Sequence, residues 1–220
     1  MNKPFGNADP QLEEYSTRVF APEDPFLADV RQRTAAAGLP DIQVAALDGL
    51  HLEVLVRMCG ARKAVEIGTL GGYSGTCILR GLGPEGVLHT FEIDPRHAEV
   101  ARETFLRAGF GGRAHIHVGP ALERLADITA DGPFDVVFID ADKVSYGDYT
   151  DWAAHNLRVG GVAVLDNAFL FGRVVLPPEG EHASAIRSMR RAHDILARSG
   201  RFRGTMLPTG EGLAVGVKLT

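Results

Sequence analysis

A chain of 220 residues with 45% hydrophobic and 23% charged residues has the composition of a water-soluble globular protein and enough length to bury a sizeable core. Its formal net charge of −5 argues against a polyanion as the main partner. No apolar run approaches the roughly 20 residues of a membrane span.

Met1 to Pro10 is polar and lacks the apolar stretch of a secretory signal. Residues 1 to about 41 read as an extension with short helices, one of them over Asp24 to Ala37. Phe26, Leu27 and Val30 are at helical spacing there, and Gly38-Leu39-Pro40 ends it. A longer helix is expected over Ala45 to Cys59, closed by Gly60. Cys59 and Cys77 have no metal-type spacing and sit in apolar helix-like runs. They read as buried thiols in a reducing compartment, and the expected location is the cytoplasm.

From Ala64 the pattern alternates. Strands are expected at Ala64 to Ile67, Gly86 to Ile93, Ala114 to Val118, Phe134 to Ile139 and Gly161 to Leu165. Helices between and after them are expected at Ser74 to Leu82, Pro95 to Ala108, Ala121 to Ala126, Tyr146 to Leu157 and Ala183 to Ser199. The unbroken run Val136-Val137-Phe138-Ile139 is the pattern of a parallel strand covered on both faces. Phe202 to Leu207 and Leu213 to Val217 flank a Pro/Gly turn and read as an antiparallel hairpin at the sheet edge. The expected fold is therefore α/β, a Rossmann-like, doubly wound, mostly parallel sheet of seven strands in one domain.

The first strand runs into Gly68-Thr69-Leu70-Gly71-Gly72, and a helix starts near Ser74. Such a turn lets backbone approach a ligand and offers helix N–H groups to an anion. Twenty residues past Gly72, Glu92 is placed to accept hydrogen bonds from ribose hydroxyls. A glycine turn plus an acid fits a nicotinamide or flavin dinucleotide as well as S-adenosylmethionine. Two details favour the latter. The G-x-G-x-x-G spacing for a pyrophosphate is missing, and Ser74 with the helix start suits an amino-acid carboxylate.

Two further apolar strands end in Asp140 and in Asp166-Asn167. Ligands of open parallel sheets bind beyond the carboxyl ends of the strands. Two carboxylates and an amide oxygen form a hard, all-oxygen set that suits magnesium. Manganese and calcium are the alternatives, although calcium asks for more ligands.

The stretches Val65 to Ser74, Phe91 to Asp94, Phe134 to Lys143, Gly160 to Asn167 and Leu207 to Leu213 resemble class I S-adenosylmethionine-dependent O-methyltransferases of the caffeoyl-CoA and catechol group, which are cation-dependent. The resemblance runs from about residue 40 to the end. It implies Asp140, Asp166 and Asn167 as metal ligands and Lys143, with Asp140, as the catalytic pair. It implies Glu92 and Ile93 at the ribose, and Glu66, Gly68, Tyr73 and Ser74 at the methionine end, with Asp140 beside them. Val44 would contribute a backbone contact and Ala121 an adenine contact. Pro120, where relatives commonly carry Asp, departs from the pattern.

The implied acceptor is a hydroxyl on a small aromatic molecule, catechol-like or a phenolic ester. Ala168 to His182 and the N-terminal extension are expected to shape its pocket. The resemblance also implies a homodimer. Alternatives are a tRNA methyltransferase of the same fold, a nicotinamide-dependent oxidoreductase and a non-catalytic binding module. The first would draw on Arg187, Arg190, Arg191, Arg198, Arg201 and Arg203, which otherwise read as a solvated helix face.

Overall fold

The computed structural model describes residues 9–220, so the reading of Met1 to Ala8 lies outside the described residues. Three helices begin with the same device. An Asp side chain caps a backbone N–H, and the Pro that follows occupies the first helical position, where its missing N–H costs nothing. They are α1 (Pro10–Phe20, capped by Asp9), α2 (Pro25–Ala36, capped by Asp24) and α5 (Pro95–Arg107, capped by Asp94).

The remaining elements are α3 (Ala46–Met58), β1 (Lys63–Ile67), α4 (Tyr73–Gly81), β2 (Val87–Glu92), β3 (Ala114–Val118), α6 (Ala121–Arg124), β4 (Phe134–Ile139), α7 (Tyr146–Asn156), β5 (Leu157–Leu165), α8 (Ala183–Arg198), β6 (Phe202–Leu207) and β7 (Leu213–Lys218). A 3-10 turn over Leu125–Asp131 follows α6. Among the described residues no helix is long and apolar enough to cross a membrane.

The seven strands lie in the order β3-β2-β1-β4-β5-β7-β6. β1 to β5 are parallel, and β7 runs antiparallel between β5 and β6. The expected hairpin forms, but its second strand is inserted into the sheet and its first makes the edge. Alternation along β1 and β4 sends Val65, Ile67, Val137 and Ile139 into a core under α7 and α8. Ala64, Val136 and Phe138 enter the opposite core, with α3, α4 and Leu27 and Val30 of α2. Cys77 is buried as expected. Cys59 is only half-buried, because it ends α3 rather than lying within it, and its Sγ donates to the Val56 carbonyl.

The chain winds outward from β1 through β2 to β3, then returns to place β4 on the other side of β1. The crevice where that order reverses lies at the carboxyl ends of β1 and β4, with Ile67 paired to Ile139. Ladder bonds continue one residue past each tip. Gly68 N–H donates to Phe91 O (3.0 Å), Asp140 N–H to Ile67 O (2.8 Å) and Asp166 N–H to Ile139 O (3.0 Å). Gly68, Asp140 and Asp166 therefore stand in one row at the crevice.

Candidate active site

The turn after β1 is built around close backbone approach. Gly68 has φ +102°, and a Cβ there would stand 1.9 Å from the Asp140 carbonyl oxygen. Only glycine lets the tips of β1 and β4 come this near. Leu70 is held at φ +47°, a conformation that costs a β-carbon-bearing residue roughly 1 kcal/mol or more. Its N–H donates to Glu92 Oε2 (2.8 Å), while Glu92 Oε1 accepts from Asp94 N–H (2.9 Å). Glu92 is 7% exposed, and both its oxygens keep a lone pair for a further donor.

Beneath this turn lies Glu66, fully buried. Its Oε1 accepts from Ser74 Oγ and its Oε2 from Thr90 Oγ1, each at 2.6 Å, and Thr90 shares a further hydrogen bond with Thr69 Oγ1. Burial outweighs the two hydroxyl bonds and pushes the Glu66 carboxyl up to about 8. The Ser74 hydroxyl is thus engaged with Glu66 while its residue sits at the cavity wall.

A cavity of about 630 Å³ opens above the row of strand tips. Gly68, Tyr73, Ser74, Glu92, Ile93 and Ala121 line it, with Val44, Asp140, Lys143 and Asn167. Glu66 stands behind Ser74 and does not reach the cavity. Ile93 is 70% exposed, so its contribution is a rim contact. Ala121 and Pro120 form the wall at the start of α6, where Pro120 has no side-chain donor or acceptor. Val44 is 5% exposed, and among the described residues nothing accepts its N–H.

A second cavity of about 1100 Å³ shares Ile42, Gln43, Val44 and Asn167 with the first. Its walls include Asp166, Phe169, Asp48, His51 and the hairpin turn from Pro208 to Glu211, with Leu12 and Glu13 of α1 at its rim.

Asp140 lines the first cavity, Asp166 the second, and Asn167 both. Asp166 is 5% exposed. Burial and the neighbouring Asp140 charge push its carboxyl well above the ordinary aspartate range. Asn167 has φ +50°, a conformation Asn tolerates better than most residues. Two mutually repelling acids and an amide oxygen form a hard donor set whose repulsion a divalent cation would relieve, so the residues fit such an ion. Among the described residues no three His, Cys, Asp or Glu side chains gather as a metal site, and the third donor here is an amide.

Lys143 Nζ donates to Asp140 Oδ1 (2.9 Å) and to Tyr146 Oη (2.6 Å). Asp142 accepts instead from Tyr149 Oη (2.7 Å). Tyr146 and Tyr149 belong to the core beneath, as packing residues with one polar end.

After Asn167 the chain stays close to the site. Phe169 N–H donates to Glu211 O, and Phe171 N–H to Glu211 Oε2 (3.1 Å). Phe171 reaches the first cavity and is 55% exposed. Arg190 fastens this loop to α8 through the Val174 and Leu176 carbonyls, and Arg187 through that of Pro178. Arg191, Arg198 and Arg201 pair with Asp148, Asp194 and Asp151. Five of the six arginines flagged as a possible basic face are thus engaged within the fold.

Sequence reasoning passed over Arg31 and Glu23, which contact the back of Tyr73, and Thr90, which holds Glu66. Thr90 is a buried polar residue between His89 and Phe91 on β2, a weak signal. Arg31 and Glu23 gave none, because Tyr73, the residue they jointly hold, lies far along the chain.

A sequence profile described as O-methyltransferase matches residues 14–219. A catechol O-methyltransferase of Mycobacterium tuberculosis is 41% identical over 181 residues, 82% of this chain and 81% of its own. An O-methyltransferase from Bacillus cereus, solved in complex with SAH, is 35% identical. It superposes with a TM-score of 0.87 over 94% of this chain and 97% of that one. TomG from Streptomyces achromogenes, an O-methyltransferase involved in tomaymycin synthesis and solved in complex with SAM, is 33% identical. Its TM-score is 0.87, covering 96% of each chain.

Proposed function

Since this chain belongs to the O-methyltransferase family, we propose that it transfers a methyl group from S-adenosylmethionine to a hydroxyl of a small aromatic acceptor, catechol-like or a phenolic ester, with the help of a divalent cation, magnesium before manganese or calcium. The observation that carries this reading is the row of Gly68, Asp140 and Asp166 at the crevice, with Lys143 bonded to Asp140 beside it. The relatives solved with SAM and SAH support the choice of methyl donor.

When bound, the donor supplies an electrophilic methyl on a sulfonium. Glu92, already fixed by two backbone N–H groups, accepts from the ribose hydroxyls with its free lone pairs. The Val44 N–H meets the carboxylate of the methionine end, and Gly68 allows close approach of the turn. The buried Glu66 holds Ser74 in place at that end. Ala121 and Ile93 close the adenine and ribose side with apolar contacts.

Asp140, Asp166 and Asn167 would hold the cation, which supplies a positive charge that lowers the pKa of a bound hydroxyl. Lys143 takes the hydroxyl proton at Nζ, a nitrogen already oriented by Asp140 and Tyr146. Much of the rate comes from holding the reacting atoms in line, with the loop around Phe171 excluding water. The aromatic acceptor occupies the second cavity beside Asn167 and Phe169. The protein acts as a single domain and a homodimer in the cytoplasm, with α1, which buries none of its own residues, at the dimer contact.

The test is methyl transfer from labelled S-adenosylmethionine to a panel of catechols and phenolic esters, set beside total tRNA. Turnover on catechols is expected. Methylation of tRNA alone, or NADH binding without S-adenosylmethionine binding, would overturn the proposal.

A further inference from the structure

Helix α2 lies outside the parallel core, yet it meets the cofactor turn at three points. Thr34 packs against Gly71 so closely that a Cβ on that glycine would stand 2.1 Å from Thr34 Oγ1. Arg33 Nη2 donates to Thr104 Oγ1 (3.1 Å), and the Thr104 hydroxyl donates to the Gly71 carbonyl (2.8 Å). The third point is Arg31. Its Nε donates to Glu23 Oε1 (2.5 Å) and its Nη2 to the Val44 carbonyl (2.7 Å), while its guanidinium stacks 4.1 Å from the Tyr73 ring centroid. Tyr73 Oη closes the circuit by donating to the same Glu23 oxygen (2.8 Å).

We propose that Arg31 is a positioning residue for the methyl donor, acting through Val44 and Tyr73 from behind the cavity wall. The inference rests on the functional reading above and adds to it that the N-terminal segment completes the donor pocket. Every group Arg31 touches is either a wall of that cavity or holds one: Val44 and Tyr73 line it, and Glu23 fixes the Tyr73 phenol.

The residue type is demanded by the geometry. A guanidinium is planar, so it stacks on a ring while its edge donates in two fixed directions. A lysine ammonium on the same stem cannot do both. Packing alone would not call for a cation here, since burying a charge carries a desolvation cost that an apolar side chain avoids. What the cation provides is direction. Without it, the Ile42-to-Val44 strap loses its one side-chain tether at the Val44 carbonyl among the described residues, and Tyr73 loses a face.

The experiment is calorimetric titration of S-adenosylhomocysteine into the wild type, Arg31→Ala, Arg31→Lys and Glu23→Gln. It is paired with kcat and the KM values for S-adenosylmethionine and for catechol. Arg31→Ala should weaken S-adenosylhomocysteine about tenfold, equivalent to about 1.4 kcal/mol. The KM for S-adenosylmethionine should rise in step, and that for catechol should stay within about twofold. Arg31→Lys should recover little of the loss.

Unchanged S-adenosylhomocysteine affinity in a folded Arg31→Ala protein overturns the proposal. So does a loss shared equally by both substrates, which is what a purely structural residue would give. Should Arg31→Ala not fold, Glu23→Gln decides, because it keeps the arginine and weakens the carboxylate shared with Tyr73. A drop of about threefold supports the assignment, and none refutes it. A wild-type protein that binds no S-adenosylhomocysteine would bring down the functional reading first, and this assignment with it.

Discussion

Lys143 Nζ lies 2.9 Å from Asp140 Oδ1, three residues before it on the turn that leaves β4, and the same nitrogen donates to Tyr146 Oη on its other side. A flexible side chain is thereby held at one point of the crevice. Lys143→Met should lower kcat by at least about 100-fold, the scale of a lost general base. S-adenosylhomocysteine affinity should hold. Lys143→Arg should not rescue the rate, because a guanidinium keeps its proton in a protein. Steady-state turnover with a parallel titration checks both variants, and a Lys143→Met enzyme of near-normal rate would remove the base from the account.

Glu92 receives one backbone N–H on each oxygen, from Leu70 and Asp94. Glu92→Gln should therefore fail about as badly as Glu92→Ala, since the amide NH2 would face a backbone donor. Losing a charged acceptor of this kind costs about 1–3 kcal/mol, or roughly 5- to 150-fold in affinity. Titration of S-adenosylmethionine into each variant reads the effect. A Gln variant that binds like the wild type would show that Glu92 does not use both oxygens.

Much of this site was legible because its signals are local. Gly68 to Gly72 after a strand, an acid at the end of the next, and apolar runs ending in Asp140 and Asp166 are each carried by a few consecutive residues. Strand alternation assigned the sheet for the same reason. What escaped were long-range pairings. Nothing near Arg31 in sequence announces Val44 or Tyr73, and nothing in Leu213 to Lys218 tells that β7 slides between β5 and β6. Nor does the sequence around Ser74 tell that its hydroxyl bonds to Glu66 on the preceding strand. Cys59 reads as buried because the expected helix includes it, whereas α3 ends at Met58 and leaves Cys59 as its cap.

At the opposite end of the sheet, Asp135 ties three segments together. Its Oδ2 accepts from the Arg62 and Lys63 N–H groups at 2.8 Å each, and its Oδ1 from Arg158 Nε at 2.5 Å. Burial raises its pKa, but the Arg158 guanidinium and the two backbone donors outweigh that and hold the carboxyl below its ordinary value. A folded pKa below the unfolded one means stability fully present above about pH 4 and lost as pH falls through the folded value. Asp135→Asn should destabilise by about 1–3 kcal/mol at neutral pH. It should also flatten the acid dependence below about pH 4. Denaturant unfolding at pH 7 and pH 3.5 measures both, and equal acid sensitivity in the variant would contradict the role.

The claim on which the chemistry depends is that Asp140 helps hold a divalent cation at the crevice. The most direct test is turnover of catechol by the purified protein with excess chelator, followed by titration with magnesium, in the wild type and in Asp140→Ala. The account predicts that chelation abolishes wild-type turnover and magnesium restores it. It also predicts that Asp140→Ala stays inactive at every magnesium concentration while still binding S-adenosylhomocysteine. Undiminished turnover in chelator, or an Asp140→Ala enzyme with wild-type activity, would contradict it.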